Sequence, residues 1–174
     1  MKRLLIVVDY QVDFVNGSLG FDGAELLDQK IAEKIQQYRM AGDDVVFTLD
    51  THETDYLSTE EGKNLPAEHC IHGSKGWELF GETKALLENS LSFEKPTFPS
   101  LKLAEWLSKK DYTDVELVGL VSNICVLSNA VMAKAALPNA HIVVDAACTA
   151  SFDPALHEKA LDVLQGLQVE IINR

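Results

Sequence analysis

Long apolar runs are missing from this chain. The longest, such as LLIVV near the N-terminus, are far too short to cross a bilayer. The opening MKRLLIVVDY is basic and then apolar, as a signal peptide begins, but it runs at once into Asp9 and has no clear small-residue cleavage site. A cytoplasmic protein that starts directly with a strand is expected. Cysteine is scarce: Cys70, Cys125 and Cys148 are the full set, with no CxxC spacing. An odd, sparse set argues against a disulfide framework and fits a reducing compartment. Positive charge is also short, with 15 Lys and Arg against 27 Asp and Glu and a formal net charge of -12. That balance argues against nucleic acid and anionic membrane as main partners. It leaves a small-molecule substrate open, because the local field of a pocket can oppose the global charge. No repeat or low-complexity tract stands out. What remains is an ordinary globular composition, 47% hydrophobic and 24% charged, over 174 residues, which suits one domain spanning residues 1–174.

Strand-length apolar runs alternate with helical patterns. RLLIVVD reads as a first strand bounded by Asp9. From about Ala24 to Met40, apolar residues recur at Leu26, Leu27, Ile31, Ile35 and Tyr38, which is helical spacing, and Gly42 fits a stop. DVVFTLD is a second strand ending at Asp50. Residues 51–75 are rich in polar and turn-forming residues and read as a long loop. GWELFGETKALLEN is partly helical, LSFEK a short third strand, LKLAEWLSKK a short helix and VELVGL a fourth strand. A helix from near Ser122 to about Leu137 follows, with Pro138 beyond it. HIVVDAAC is a fifth strand. ASFDPALHEKALDVLQGL is a helix with Asp153 as N-cap and Pro154 at its first position. QVEIIN closes as a sixth strand. This alternation predicts an α/β fold: one doubly wound domain with a six-stranded parallel sheet and helices on both faces.

Such sheets bind ligands beyond the carboxyl ends of their strands. Asp9, Asp50 and Lys95 end the first three strands, and Cys125 follows the fourth, so all four should gather on one edge. Cys125 has the further advantage of a strand-to-helix turn. A helix N-terminus favours thiolate over thiol and offers free N–H groups to an oxyanion. Taken alone, this cysteine would equally serve as a small buried hydrophobe at a helix start. Asp9 alone would serve as a turn former, and Lys95 alone as a solvated lysine. Asp50 and His52 form a DxH pair, with His69 later, and an O, N, N set suits Zn²⁺, Fe²⁺ or Mn²⁺.

VVDYQVDF, a lysine at the end of the third strand and GLVSNICV resemble the isochorismatase-like cysteine hydrolases over essentially the full chain. The loop DTHETD…PAEHCIHGSKGW is similar to the nicotinamidase/pyrazinamidase branch. The resemblance implies a catalytic set of Asp9, Lys95 and Cys125, with backbone N–H groups of Val121 and Cys125 as oxyanion hole and a cis Val121–Ser122 peptide. It carries a divalent metal, zinc first, with iron or manganese as alternatives, onto Asp50, His52 and His69. Glu61 is the positional candidate for a fourth ligand, ahead of Glu60 and Asp55, and His72 is expected to point elsewhere. In this branch the metal binds the pyridine nitrogen of the substrate. Phe14 is the candidate to stack on a flat ring, with Leu65, Phe98 and Ser122 also placed at the substrate. Here the chain departs from the family: Pro66 stands where many members have an aromatic residue, and a one-residue insertion would bring Leu65 into that place. Tyr10, Trp77 and Phe98 are possible compensations.

Cys70 lacks a thiolate-favouring context, Cys148 reads as buried packing, and His141 and His157 as structural or solvated. Thr149 and Ala150 are expected near the site. The activity implied is metal-dependent hydrolysis of nicotinamide, and of pyrazinamide, to the acid and ammonia in NAD salvage, with homo-oligomers common among relatives. The alternatives are a related amidase for another small amide or ureido substrate, and a non-catalytic metabolite-binding protein on the same fold.

Overall fold

The structure, a computed structural model, describes residues 2–88 and 90–174. In chain order the elements are β1 (Arg3–Val8), α1 (Val12–Val15), α2 (Leu27–Met40), β2 (Asp44–Asp50), α3 (Glu60–Asn64), α4 (Gly81–Ala85), β3 (Leu91–Lys95), α5 (Leu101–Leu107), β4 (Asp114–Leu120), α6 (Leu127–Ala136), β5 (His141–Ala150), α7 (Pro154–Gly166) and β6 (Glu170–Ile172). All six expected strands are present and pair in parallel, in the order β3-β2-β1-β4-β5-β6. β1 is central, so both of its faces are covered and its run LLIVV is buried throughout. Leu4, Ile6 and Val8 pack on one side with side chains of α5, α6 and α7. Leu5 and Val7 pack on the other against Leu27, Ile31, Ile35 and Tyr38 of α2. The 3.6-residue spacing read in α2 is thus the stripe that covers the sheet.

Three differences from the sequence reading have local causes. The loop after β2 contains a 3-10 turn, Tyr56–Ser58, and α3. The Thr59 hydroxyl caps α3 by accepting the Gly62 N–H at 3.0 Å, and five residues are too few to show a periodicity. α1, a four-residue helix, escaped for the same reason. In the expected helical stretch 76–89, only α4 is helical among the described residues, and its last position, Asn89, lies outside them. Asp153 caps α7 as expected, accepting from the N–H groups of Ala155 at 2.8 Å and Leu156 at 3.1 Å.

The chain reverses strand order between β1 and β4, where the segments after these two strands diverge to opposite sides and leave a crevice. Gly119, near the end of β4, has φ +112. A Cβ there would overlap the Val8 carbonyl oxygen. Glycine therefore lets β4 stay tight against β1 as it approaches the crevice, at the place where its register with β5 shifts.

Candidate active site

Lys95 organises the crevice. It is 1% exposed. Its ammonium donates to Asp50 Oδ1 at 3.0 Å, to the Thr97 carbonyl at 3.0 Å and to Cys125 Sγ at 3.6 Å. Asp9 Oδ2 lies closest to Nζ, at 2.7 Å, in an ion pair. The other oxygen, Oδ1, accepts from the Thr48 hydroxyl at 2.6 Å. Asp9 itself sits in the left-handed region, φ 44, as the chain turns out of β1. Three strand ends and one strand-to-helix turn thus bring acid, cation and thiol together from positions far apart in sequence.

Burial governs the protonation of this group. It pushes the Asp9 carboxyl up, and Lys95 offsets only part of that. It pushes the Cys125 thiol well above its usual range, again more than Lys95 lowers it. Lys95 is held charged: burial opposes its charge, but Asp9, Cys125 and Asp50 together outweigh it. The resting nucleophile is therefore a thiol rather than the thiolate that a helix N-terminus alone would favour.

Cys125 lies in a π-helical turn, Ser122–Val126, that runs straight into α6. Such wide turns are frequent at functional sites. Asn129 holds it in place, its Nδ2 donating to the Cys125 carbonyl at 2.8 Å and the Phe98 carbonyl at 3.1 Å, while Oδ1 accepts from Ser100 N–H at 3.0 Å. The cis peptide is Leu120–Val121, not Val121–Ser122. Val121 must turn its carbonyl into the helix, where the N–H groups of Ile124 and Val126 donate to it, and the bond that follows it is accordingly trans.

Asp50 joins this centre to a second one. Its Oδ2 lies 3.0 Å from His52 Nε2 and 3.4 Å from His69 Nε2. Glu61 Oε1 is 3.7 Å from both imidazole nitrogens, and Glu61 Oε2 is buried without a partner. His69 Nδ1 meets the Ala67 carbonyl at 2.8 Å, which fixes its proton there and turns the Nε2 lone pair toward the carboxylates. Facing lone pairs of this kind need a cation between them. Asp50, His52 and His69 offer ligand atoms all within 4.8 Å of one another, and an N, N, O set completed by Glu61 suits a divalent transition ion. Burial would raise the Asp50 carboxyl, but the neighbouring His52 and His69 and the charge of Lys95 hold it well below the usual range. His72 points away, stacking on Trp77 with ring centroids 4.9 Å apart.

The two centres open on one cavity of about 470 Å³. Asp50, Glu61, His69 and Cys125 supply its polar wall; Phe14, Leu65, Phe98, Val121, Ile124 and Phe152 supply most of the rest. Phe14 stands 5.6 Å from the His69 ring, centroid to centroid. Leu65 reaches the cavity where Pro66 does not. Of the other aromatic residues considered, Tyr10 is buried and donates its hydroxyl to the Ala24 carbonyl, and Trp77 donates to Thr51 Oγ1; neither lines the cavity. Ser122, expected at the substrate, stands behind it: the residue is fully buried and its hydroxyl meets His157 Nδ1 at 2.9 Å. Thr149 and Ala150 also stay off the cavity wall. Burial pushes the Cys148 thiol up to about 12 and Cys70 further still, and neither lines the cavity, so neither competes with Cys125 beside Lys95.

Sequence reasoning missed several supporting residues. Thr48 carried a weak signal, alternating with Asp50 toward the same strand end. Gln11 had none: it accepts the Asp50 N–H at 2.8 Å and donates to the carbonyls of Asp50 and Trp77 at 2.9 and 2.8 Å. It thereby pins the metal-candidate strand end to the loop after it.

A doubly wound parallel sheet with acid, cation and thiol at its switch point fits a hydrolase of α/β class. The chain belongs to the isochorismatase family: the model for the isochorismatase domain matches residues 3–174. Among solved structures it resembles the nicotinamidase/pyrazinamidase of Bacillus subtilis, at 30% identity and TM-score 0.87, with 98% of this chain and 99% of that one covered. It also resembles the pyrazinamidase/nicotinamidase of Streptococcus mutans, at 27% identity and TM-score 0.88, covering 98% and 100%. The pyrazinamidase of Pyrococcus horikoshii, solved with zinc, shares the fold at 23% identity and TM-score 0.87 over the full length of both. A search of curated protein sequences finds no match.

Proposed function

We propose that this hydrolase is a metal-dependent cysteine amidase that converts nicotinamide, and pyrazinamide, to the acid and ammonia. The observation that carries the reading is the bridging of two centres by Asp50: one oxygen bonds the lysine of the thiol centre, the other faces the two histidines. A thiol centre alone would serve many amides. Coupled at one cavity to an N, N, O set, it fits an amide whose ring nitrogen can be held. The relatives named for nicotinamidase and pyrazinamidase activity support the same substrate class.

Asp50, His52, His69 and Glu61 would hold the ion, which when bound supplies a Lewis-acid site for the ring nitrogen. The remaining steps belong to the protein. Cys125 gives its proton to Asp9, whose carboxyl is pushed up by burial, as the sulfur attacks the carboxamide carbon. N–H groups of Val121 and Cys125 hold the oxyanion. Asp9 passes the proton to the departing amine, which leaves as ammonia, and the acyl group remains on sulfur as a thioester. Asp9 then takes a proton from water; the resulting hydroxide attacks the thioester, and the thiol is restored as the acid leaves. Lys95 stays charged throughout and compensates whichever neighbour is anionic. Phe14 and Leu65 would flank the ring, with Phe98 at the mouth. The free thiols Cys70, Cys125 and Cys148 suit a cytoplasmic salvage enzyme, and no described helix is long and apolar enough to cross a membrane.

The test is ammonia release from nicotinamide by the purified protein, with and without added Zn²⁺, Mn²⁺ or Fe²⁺, beside Cys125→Ala. Metal-dependent release that the variant loses is expected, together with acyl mass on Cys125 in single turnovers. No release under any of these metals would sink the substrate assignment. Release that survives in the variant would sink the nucleophile.

A further inference from the structure

His157 lies outside the catalytic set, on α7, a helix that the mechanism does not use. The sequence places it on an exposed helix face. In the structure it turns inward and is half-buried, and its Nδ1 lies 2.9 Å from the hydroxyl of fully buried Ser122. Ser122 opens the turn that carries Cys125, and its N-terminal neighbour Val121 lines the cavity.

A π-helical turn is a rare form found mostly as a single turn inside helices at functional sites, so the contacts at its ends bear directly on the nucleophile. Asn129 holds the Cys125 carbonyl from within α6. At the other end, the side-chain contact comes from His157. His157 Nδ1 and the Ser122 hydroxyl share one hydrogen bond, and the Glu158 carboxylate lies 4.0 Å from Nε2. Arg174 in turn fixes Glu158, at 2.6 Å.

We propose that His157 is a positioning residue. Through Ser122 it sets the backbone of the nucleophile turn, and with it the placement of the Cys125 sulfur and of the N–H groups of Val121 and Cys125. For its catalytic half this inference rests on the amidase reading above, but thiol placement can be measured without substrate.

The experiment compares wild type, His157→Ala, His157→Asn and Ser122→Ala, each checked for folding by thermal unfolding. The rate of Cys125 carboxamidomethylation by iodoacetamide is followed by peptide mass spectrometry, where the sulfur displaces iodide and nothing else is consumed. Nicotinamide hydrolysis is measured in parallel. Displacing a reacting group by about 1 Å can lower a rate by up to ~100-fold, so His157→Ala is expected to lower kcat by about tenfold with little change in KM, and to change the alkylation rate in parallel. His157→Asn, whose side-chain amide can reach the Ser122 hydroxyl, should restore most of both. The effects of His157→Ala and Ser122→Ala should not add in the double variant, because they break one contact. Alkylation and kcat unchanged in a folded His157→Ala protein, or fully additive effects, would overturn the proposal. If His157→Ala fails to fold, Ser122→Ala and His157→Asn carry the same comparison. Wild type inactive on nicotinamide would defeat the amidase reading, while the alkylation series would still decide the positioning role.

Discussion

The protein sets two lysines among carboxylates, and it treats them differently. Lys34 of α2 pairs with Glu116 of β4 and with Asp145 of β5, and Tyr38 donates its hydroxyl to the second Glu116 oxygen at 2.7 Å. The remaining Asp145 oxygen accepts the Ala147 N–H at 2.9 Å. Every carboxylate oxygen there is satisfied. Lys95 sits among Asp9, Asp50 and Cys125, and in the neighbouring centre Glu61 Oε2 stays without a hydrogen bond. A buried orphan of this kind costs stability. It persists here beside a cavity where a cation can meet it. The difference separates charge that holds the sheet together from charge reserved for chemistry.

The strongest way to break the comparison is Asp9→Asn. It removes the proton acceptor and should lower nicotinamide hydrolysis by about 10³-fold or more, in a protein that stays folded because Lys95 keeps Asp50 as a counter-charge. An active Asp9→Asn protein would remove the distinction. The reverse pattern is expected of Lys34→Met. It leaves Glu116 and Asp145 buried without their cation and should cost about 3 kcal/mol in urea denaturation, with kcat/KM unchanged. Loss of activity in a variant that remains folded would show that the two clusters are not separate in function. Glu61→Gln is a smaller probe. Zinc affinity measured by calorimetry should fall by about tenfold; an unchanged affinity would take Glu61 out of the ligand set.

The smallest effect concerns pH. Burial would raise the Asp145 carboxyl, but hydrogen bonds from Lys34 and Asn173 outweigh it and hold the group below its ordinary value. A depressed carboxyl contributes stability above the unfolded value of about 4 and loses it as pH falls through the folded one. The stability gap between wild type and Asp145→Asn should therefore be full at neutral pH and close below about pH 4. A gap that persists undiminished at lower pH would mean that Asp145 contributes through packing rather than charge.

Much of the fold is legible because regular elements announce themselves by period. The buried run in β1 and the Leu27, Ile31, Ile35, Tyr38 stripe of α2 each report their surroundings through spacing. The convergence of Asp9, Asp50, Lys95 and Cys125 follows from the same logic, since strand ends in a parallel sheet share one edge. What escaped has no period. α1 and α3 are single turns stabilised by local contacts. Gln11 and His157 act through side-chain hydrogen bonds across 39 and 35 residues, and no pattern in one sequence records a pairing at that distance. The position of the cis peptide belongs to the same class, being set by where the Val121 carbonyl must point. The resting thiol escaped for another reason: a helix terminus can be read from sequence, but the full burial that outweighs it cannot.

The tight closure of β4 on β1 at Gly119 carries a further consequence, for the order of events in folding. Asp9 leaves the chain's beginning, Lys95 its middle and Cys125 its second half, and none has a local contact that would bring it to the others. The thiol meets its acid only when these two strands have docked. Before that, each residue is an ordinary side chain on an unfinished polypeptide, so the same step that seals the sheet also assembles the catalytic set. Loss of Cys125 labelling as the thiol is buried would thus serve as a clock for assembly, reporting when the central strands close and not merely when secondary structure appears.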